Sequence, residues 1–353
     1  MKEKIKKLFS SYAFNILSVF LFTALVLWLT LKDSFDDVVS VLRGLNPIWI
    51  IIIVLISILI QCVIGYGLTT LTKLSNPQYE LSQGILNSFI GSFFCGVTPS
   101  SSGGQFAQVY IFKKQGVDFS DAASILWMEF IIYQATMVFI GLLLIILKFS
   151  YFTGPLKPIL PLVLLGFAIN SSIILGLWAL GRFPKAYTFV STKGINIAHK
   201  LRIVKDKEKT LESLDIQLKR FDRETKRLSE HKIVILKVVG VNIVRLILYY
   251  SLPFICAVSL NINVNLSMLV DVIALASFVS TINAFIPIPG SSGGTEITYV
   301  FMFSKLFGSI GARSTMIIWR VATFYIVMIL GGLLFIYAKQ KTNLFTKIEG
   351  DVL

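Results

Sequence analysis

The sequence is poor in charged residues, histidine and cysteine. Asp, Glu, Lys and Arg make up 15% of its 353 residues, whereas soluble domains carry about 25%. It has 2 His, and its 3 Cys have neither paired nor metal-ligand spacing. Little charge excludes a single soluble domain of this length, and so few His and Cys argue against a zinc site or a disulfide framework. No Walker A loop, Ser-His-Asp spacing or His-Glu-x-x-His motif occurs, so we predict no catalytic residues, metal or cofactor.

Apolar residues are abundant instead. The hydrophobic set makes up 55% of the chain, and the mean hydropathy is +0.77. Six apolar runs are long enough to cross about 30 Å of hydrocarbon as helices. They are Ala13–Leu31, Ile48–Leu71, Ala122–Leu147, Ile159–Leu180, Ile233–Leu260 and Thr315–Ala338. The net charge of +14 lies mainly between these runs. This position indicates that the charges orient the chain in the membrane and attract anionic lipid, rather than bind nucleic acid.

Two further apolar regions are interrupted. Region 84–116 contains the segment Thr98–Gly104, and region 266–308 contains the segment Pro287–Gly294. Both segments are rich in Pro, Gly and Ser, and Pro and Gly break helices. Because non-helical backbone at membrane depth is tolerated only inside protein or beside water, we predict a helix, a buried loop and a second short helix in each region.

The distribution of Lys and Arg predicts the threading. Residues Arg182–Lys232 carry 14 Lys and Arg against 7 Asp and Glu, and Met1–Tyr12 carries four Lys and one Glu. The positive-inside rule places both segments in the cytoplasm. If each broken region is a hairpin returning to its own side, cytoplasmic segments hold 24 Lys and Arg and outer segments 6. The first hairpin then opens to the cytoplasm and the second to the outside; two full spans in each region would give the same sidedness.

The two broken regions also resemble each other. Pro99, Ser101, Ser102, Gly103 and Gly104 match Pro289, Ser291, Ser292, Gly293 and Gly294 at a constant offset of 190. With one insertion the match continues, so that Glu129 aligns with Arg320. Inverted repeats with broken helices are typical of transporters that bind substrate near the midplane; the alternative is a duplicated structural kink. We therefore predict an all-α polytopic membrane protein with six full spans and two broken or re-entrant hairpins arranged as an inverted repeat.

The predicted organisation is a single membrane domain over residues 1–353. Its parts are a first half (13–180, with hairpin 84–116), a basic cytoplasmic loop (181–232), a second half (233–338, with hairpin 266–308) and a cytoplasmic tail (339–353).

The glycine-rich breaks and the charges inside spans are the predicted substrate site. Helix N-termini offer unpaired N–H groups to an anion, and serine hydroxyls add donors, although these serines also suit capping of their own helices. Charges inside spans are costly and mark function, although a buried Glu–Arg pair that fixes packing is the alternative. As aligned positions, Glu129 and Arg320 are expected in the same central region. The predicted substrate-binding residues are Ser100, Ser101, Ser102, Gly103, Gly104, Gln105, Glu129, Arg245, Ser291, Ser292, Gly293, Gly294, Glu296 and Arg320.

Both motifs are similar to the signatures of a known family. The run Thr98–Gln105, followed by Tyr110 and Lys113–Gly116, resembles the first signature of the lysylphosphatidylglycerol synthase transmembrane family, and Pro287–Glu296 resembles its second. The resemblance covers nearly the whole chain. In the multiple peptide resistance factors, this membrane unit moves aminoacylated phosphatidylglycerol to the outer leaflet, while a separate cytoplasmic domain takes lysine from lysyl-tRNA.

The resemblance implies the lipid-translocating unit without that catalytic domain. We expect a flippase of the bacterial cytoplasmic membrane with both termini in the cytoplasm. Its partners would be a lipid with an anionic headgroup and a separate lipid-modifying enzyme, with no nucleic acid. The alternatives are phosphatidylglycerol lysyltransferase activity, alone or with a partner catalytic domain, and a non-transporting membrane scaffold. Catalysis by this chain alone is disfavoured because its longest polar stretch is about fifty residues, half of a minimal ~100-residue catalytic domain.

Overall fold

The computed structural model describes most of the chain between residues 35 and 340. The described residues are 35–98, 103–149, 154, 157, 160–182, 219, 222–283, 286 and 288–340. The predicted first span (Ala13–Leu31), most of the basic loop, Ser100, Ser101, Ser102 and residues 341–353 lie outside them.

The regular structure of the described residues is helical, which confirms the all-α fold. The helices are α1 (Phe35–Arg43), α2 (Pro47–Thr72), α3 (Leu81–Val97), α4 (Gly103–Lys114), α5 (Phe119–Leu147), α6 (Leu160–Arg182), α7 (Lys232–Ser259), α8 (Leu269–Asn283), α9 (Gly294–Arg320) and α10 (Val327–Gln340). A π-helical turn, Val321–Ile326, joins α9 to α10. Short 3₁₀ turns precede α8 and α9 at Leu266–Met268 and Pro289–Ser291.

Five helical segments are long and apolar enough to cross a membrane. They are Pro47–Thr72, Phe119–Leu147, Lys232–Ser259, Leu266–Asn283 and Pro289–Ala338. The helices predicted from Ile48, Ala122 and Ile233 are among them as α2, α5 and α7. The helix predicted from Ile159 is present as α6 but is not one of these five segments. The predicted span Thr315–Ala338 differs, because it continues from the second hairpin without a loop. Gly308 kinks this helix at φ 72°, ψ 167°, and the chain resumes helical geometry at once.

Local sequence explains where two of these helices begin. The Asn46 side chain accepts a hydrogen bond from the Ile48 N–H at 2.9 Å, and Pro47 follows as the first residue of α2. At α3, the Gln83 side chain accepts the Glu80 N–H at 2.9 Å within a capping box. Caps satisfy N–H groups that the first turn leaves unpaired, so both starts are fixed by short-range chemistry.

The first broken region is a hairpin whose two ends lie together. The Tyr79 hydroxyl, just before α3, donates to Gln115 Oε1 at 2.7 Å, and Gln115 Nε2, just after α4, donates to the Gln83 carbonyl at 2.9 Å. Burial raises the pKa of the Tyr79 hydroxyl, which therefore remains a neutral donor. At 1.5 Å per residue, α3 is about 25 Å long and α4 about 18 Å, both short of the ~30 Å hydrocarbon core. The hairpin therefore enters and leaves at one end of the molecule.

The second broken region opens at the other end. Helix α5, about 43 Å long, runs from beside Gln115 to Lys148, whose Nζ lies 2.6 Å from Asp271 Oδ1 near the start of α8. Gly311, beyond the kink in α9, faces Ile262 just before α8. The second hairpin thus starts and returns near Lys148, and the two hairpins point toward each other. An inverted repeat would produce this arrangement; the repeat and its orientation in a bilayer stay predictions.

The two hairpin tips meet inside the bundle. The first tip is the end of α3 and the start of α4, around Thr98 and Gly103, and the second tip is residues 288–296. A methyl group on Gly290, in the second break, would lie 3.4 Å from the carbonyl oxygen of Gly96, in the last turn of α3, and would collide with the Phe324 ring. Gly290 has φ +60°, which glycine adopts without strain. Glycine is thus required here for both its backbone conformation and the space it leaves. The structure brings both predicted breaks to one place.

Candidate functional site between the hairpin tips

The first tip is closed by a threonine hydroxyl. Thr98 Oγ1 donates to the Phe94 carbonyl at 2.6 Å and accepts the Gly103 N–H at 2.8 Å, so one side chain joins the end of α3 to the start of α4. Gly104 packs against Cys95, whose Sγ occupies the space that a Cβ would need. Gly103 and Gly104 therefore leave space for neighbouring protein atoms, the side chains of Thr98 and Cys95. Gln105 is exposed on the outer surface of α4.

The second tip is closed by the carboxylate of Glu296. Glu296 Oε2 accepts the Gly293 N–H at 2.6 Å as part of the cap of α9. The Ser291 hydroxyl donates to the Asn283 carbonyl at 3.1 Å, and Gly294 packs against Ile286. Several donors that the sequence assigned to an anion are therefore engaged within the protein. Ligand binding by the two breaks stays a prediction.

Arg320, the last residue of α9, contacts the second tip at the start of the same helix. Its Nε lies 2.9 Å from Glu296 Oε1 as an ion pair, and its Nη2 donates to the Gly290 carbonyl at 2.6 Å and to Ser292 Oγ at 3.3 Å. The Arg320 side chain is 7% exposed and that of Glu296 is 0% exposed. A buried carboxylate and guanidinium with this many partners satisfy each other. Arg320 therefore acts as a clamp on residues 290–296 in this conformation.

A second ion pair is more accessible. Arg245 Nη1, in the middle of α7, donates to Glu129 Oε1, in α5, at 3.3 Å, and the two side chains are 21% and 17% exposed. The Arg245 guanidinium also lies over the Tyr133 ring, with Cζ 4.1 Å from the ring centroid. The Glu129 contact uses one of the five N–H donors of a guanidinium fork. This pair is partly exposed inside a span, where charge is expensive.

The two pairs lie near the same tyrosine but have different partners. Tyr249, one turn beyond Arg245 in α7, lies within electrostatic reach of both Arg245 and Arg320, and its ring centroid is 5.7 Å from that of Trp319. Tyr249 thus connects the two pairs, and the shared central region expected for Glu129 and Arg320 stays a prediction. In the structure each of the two charges has another partner, in the pairs Glu129–Arg245 and Glu296–Arg320.

Sequence reasoning missed three residues of this centre. Tyr133 follows Glu129 by four positions, so helical spacing places both on one face and offered a signal. Thr98 belongs to the quoted motif, but its bridging role depends on the tip geometry. Tyr249 carried no signal beyond its position four residues after Arg245.

Comparison with known proteins agrees with the motifs. A family model described as "Lysylphosphatidylglycerol synthase TM region" matches residues 15–331, nearly the whole chain. No curated protein matches the sequence.

Proposed function

The chain belongs to the lysylphosphatidylglycerol synthase transmembrane family, and we propose that it is a lipid flippase moving a phosphate-bearing glycolipid or aminoacyl-lipid between leaflets. The observation that carries the proposal is the partly exposed Glu129–Arg245 pair inside the spans, beside the meeting hairpin tips. Glu296 and Arg320, by contrast, are enclosed and bound to each other and to the backbone of the second tip. The exposed pair retains room for a ligand.

The chemistry of this pair suits a polar lipid headgroup. A guanidinium binds phosphate oxygens through a planar fork, and the donors of Arg245 beyond its Glu129 contact would serve that purpose. The Glu129 carboxylate can accept hydrogen bonds from sugar hydroxyls or from an aminoacyl ammonium. Both signs of charge lie within one side-chain length, so the headgroup would exchange water for charged protein groups.

The surface around the site suits acyl or prenyl tails. On α4, Phe106 is 79% exposed and Tyr110 is 48% exposed. On α7, Val244 and Ile247, which flank Arg245, are 49% exposed each. Apolar side chains that face lipid cost nothing in a bilayer. A headgroup held by Arg245 could therefore keep its tails in the membrane.

Lipid transport is testable with the purified chain in vesicles. Dithionite first bleaches the outer-leaflet label of vesicles that carry fluorescent phosphatidylglycerol, with or without protein. In vesicles that contain the protein, the inner-leaflet signal should then be lost faster than in protein-free vesicles. Arg245→Lys keeps the charge but loses the fork, and Glu129→Gln removes the carboxylate; each should slow the second phase about tenfold, equivalent to ~1.4 kcal/mol. Asp271→Asn, which breaks an ion pair at the far end of α5, is the control and should stay within about twofold. Equal rates with and without protein would refute the proposal.

The proposed orientation places both termini in the cytoplasm of a bacterial cell, as the Lys and Arg distribution favours. In a cysteine-free background, Lys157→Cys and Asn261→Cys should react with an impermeant thiol reagent from outside intact cells. Lys207→Cys should react only after lysis. Labelling of Lys207→Cys in intact cells would reverse the orientation.

A second candidate is participation in lysyl-phosphatidylglycerol synthesis with a partner that supplies the catalytic domain. The description of the matched family favours it. Purified chain with lysyl-tRNA and phosphatidylglycerol should form no lysyl-lipid unless a catalytic partner is added. Product formed at normal turnover by the chain alone would favour the enzyme reading over the flippase.

A further inference from the structure

One side chain lies between the two hairpin tips. The Phe324 ring is 3.3 Å from the position that a methyl group on Gly96 would take, and it fills the space beside Gly290. The Arg320 guanidinium stacks on the same ring, with Cζ 4.0 Å from the centroid. Phe324 therefore contacts the first tip, the second tip and the clamp that holds the second tip.

Phe324 lies on an unusual stretch of backbone. Residues Val321–Ile326 form a π-helical turn between α9 and α10. A π turn holds about one residue more than an α turn, and such turns are rare and frequent at functional sites. Restoring α geometry would rotate α10 against α9 by about 100°, the angle per residue of an α-helix.

The helices on either side of this turn are attached to different hairpins. Before it, Arg320 is fixed to Glu296 and Gly290 of the second hairpin. After it, Gly331 packs directly on the Phe89 backbone of the first hairpin, and Phe335 packs edge-on against Phe94 with ring centroids 5.0 Å apart. Any movement of one hairpin against the other must therefore be absorbed near residues 321–326.

We propose that Phe324 is the gate residue between the hairpin tips and that its π-helical turn is the hinge on which it moves. The inference rests on the proposed transport: a headgroup at Glu129 and Arg245 can change sides only if the tips part. In the conformation described, the ring seals the contact of Gly96 with Gly290. Parting the tips removes the ring from between these glycines and separates it from Arg320.

The test compares Phe324→Ala with Phe335→Ala. Both remove a partly buried phenyl ring that α10 or its preceding turn packs against α3, but of the two only Phe324 also contacts Gly290 and Arg320 at the second tip. Hydrogen–deuterium exchange in nanodiscs reports tip opening without any lipid assay. In Phe324→Ala, peptides covering 91–98 and 288–296 should exchange several-fold faster than in wild type, and Phe324→Leu should fall between. In Phe335→Ala, the 288–296 peptide should exchange near the wild-type rate. Peptide 91–98 contains Phe94, the residue on which Phe335 packs, so only peptide 288–296 is compared between the two alanine variants.

Transport supplies the second measurement. In the dithionite assay, Phe324→Ala should move labelled phosphatidylcholine almost as fast as labelled phosphatidylglycerol, because an open contact selects poorly, whereas Phe335→Ala should keep the wild-type preference. Equal exchange of the 288–296 peptide in the two alanine variants would overturn the gate. So would a transport defect in Phe324→Ala with wild-type exchange. If the wild type moves no lipid, the flippase proposal fails, while the exchange comparison still decides whether Phe324 holds the tips together.

Discussion

The two hairpins have the same order of parts but are held by different forces. The first tip is neutral: Thr98 bridges α3 to α4, and Gly104 lies against Cys95. The second tip is ionic: Glu296 caps α9 and is matched by Arg320. In the sequence alignment of the halves, the position of Arg320 is taken by Glu129, which reaches α7 and pairs with Arg245 instead.

This difference separates a structural charge from an accessible one. Where the aligned residue serves its own hairpin, as Arg320 does, it is enclosed and held by one ion pair and two hydrogen bonds. Where the hairpin is held without charge, the aligned residue remains at a partly exposed position. We therefore expect charge inside the spans to have two roles, and side-chain exposure distinguishes the two pairs better than depth in the span does.

The largest expected effect is from Arg320→Ala. It leaves the carboxylate of Glu296 buried without a counter-charge, which costs about 3–5 kcal/mol. Arg245→Ala leaves Glu129 at a position that is 17% exposed rather than fully enclosed, so it should cost less stability than Arg320→Ala. Unfolding midpoints of the purified variants in detergent measure the difference.

A double variant tests whether the unpaired Glu296 carboxylate causes this loss of stability. Adding Glu296→Gln to Arg320→Ala removes the buried carboxylate and keeps an oxygen for the Gly293 N–H, so it should recover part of the lost stability. Equal stability losses in Arg320→Ala and Arg245→Ala would erase the distinction between the two pairs.

Lysine substitutions sharpen the same comparison. Arg320→Lys keeps the charge but cannot contact Glu296, Gly290 and Ser292 together, so we expect a loss of about 1.5–3 kcal/mol, with yield and transport falling in parallel. Arg245→Lys should fold normally and transport poorly. Expression, unfolding midpoint and dithionite kinetics of both variants test this split; normal folding with poor transport in Arg320→Lys would move the phosphate-binding role to that residue.

The first hairpin should be more sensitive to added volume than to lost charge. Gly104→Ala places a methyl group against Cys95 Sγ and 2.9 Å from the carbonyl oxygen of Gly91, a backbone atom that cannot easily move away. Overpacking of this kind costs about 1–3 kcal/mol. Gly240→Ala, in α7 with open space at its Cβ position, is the control and should gain up to about 1 kcal/mol in helix propensity. Thermal unfolding of both variants in detergent provides the measurement, and equal shifts would argue against close packing of α3 on α4.

Much of this architecture could be predicted from the sequence because it depends on one-dimensional signals. Apolar length predicted α2, α5 and α7, and Pro and Gly clusters predicted both breaks. Charges inside spans identified four residues of the centre. The depth of a residue along a helix follows from its position in the sequence. The helices, the breaks and the charged positions could therefore be predicted without knowledge of how the helices pack.

The pairing of the charges could not be predicted in the same way. Partner choice depends on how each helix is rotated about its axis, which packing decides: Gly331 on Phe89 and Tyr249 beside Trp319 set such rotations. The π turn at 321–326 lies between two helices that pack on different hairpins, and no local sequence signal marks it. A capping signal for Glu296 was present, since it follows Gly293 by three residues, but its partner Arg320 lies 24 positions later.

The smallest expected effect concerns Thr98, the neutral counterpart of Glu296. Thr98→Val keeps the shape of the side chain but removes the hydroxyl that accepts the Gly103 N–H and donates to the Phe94 carbonyl. Losing a cap of this type costs about 1 kcal/mol, well below the loss expected for the ionic clamp. Thr98→Ser restores the hydroxyl and should recover most of the stability, measured as the unfolding midpoint together with deuterium uptake at residues 103–106. If Thr98→Val destabilised the protein as strongly as Arg320→Ala, the first tip would depend on its single hydroxyl as much as the second depends on its ion pair. The contrast between neutral and ionic closure would then be lost, and the accessibility of Glu129 would need another cause.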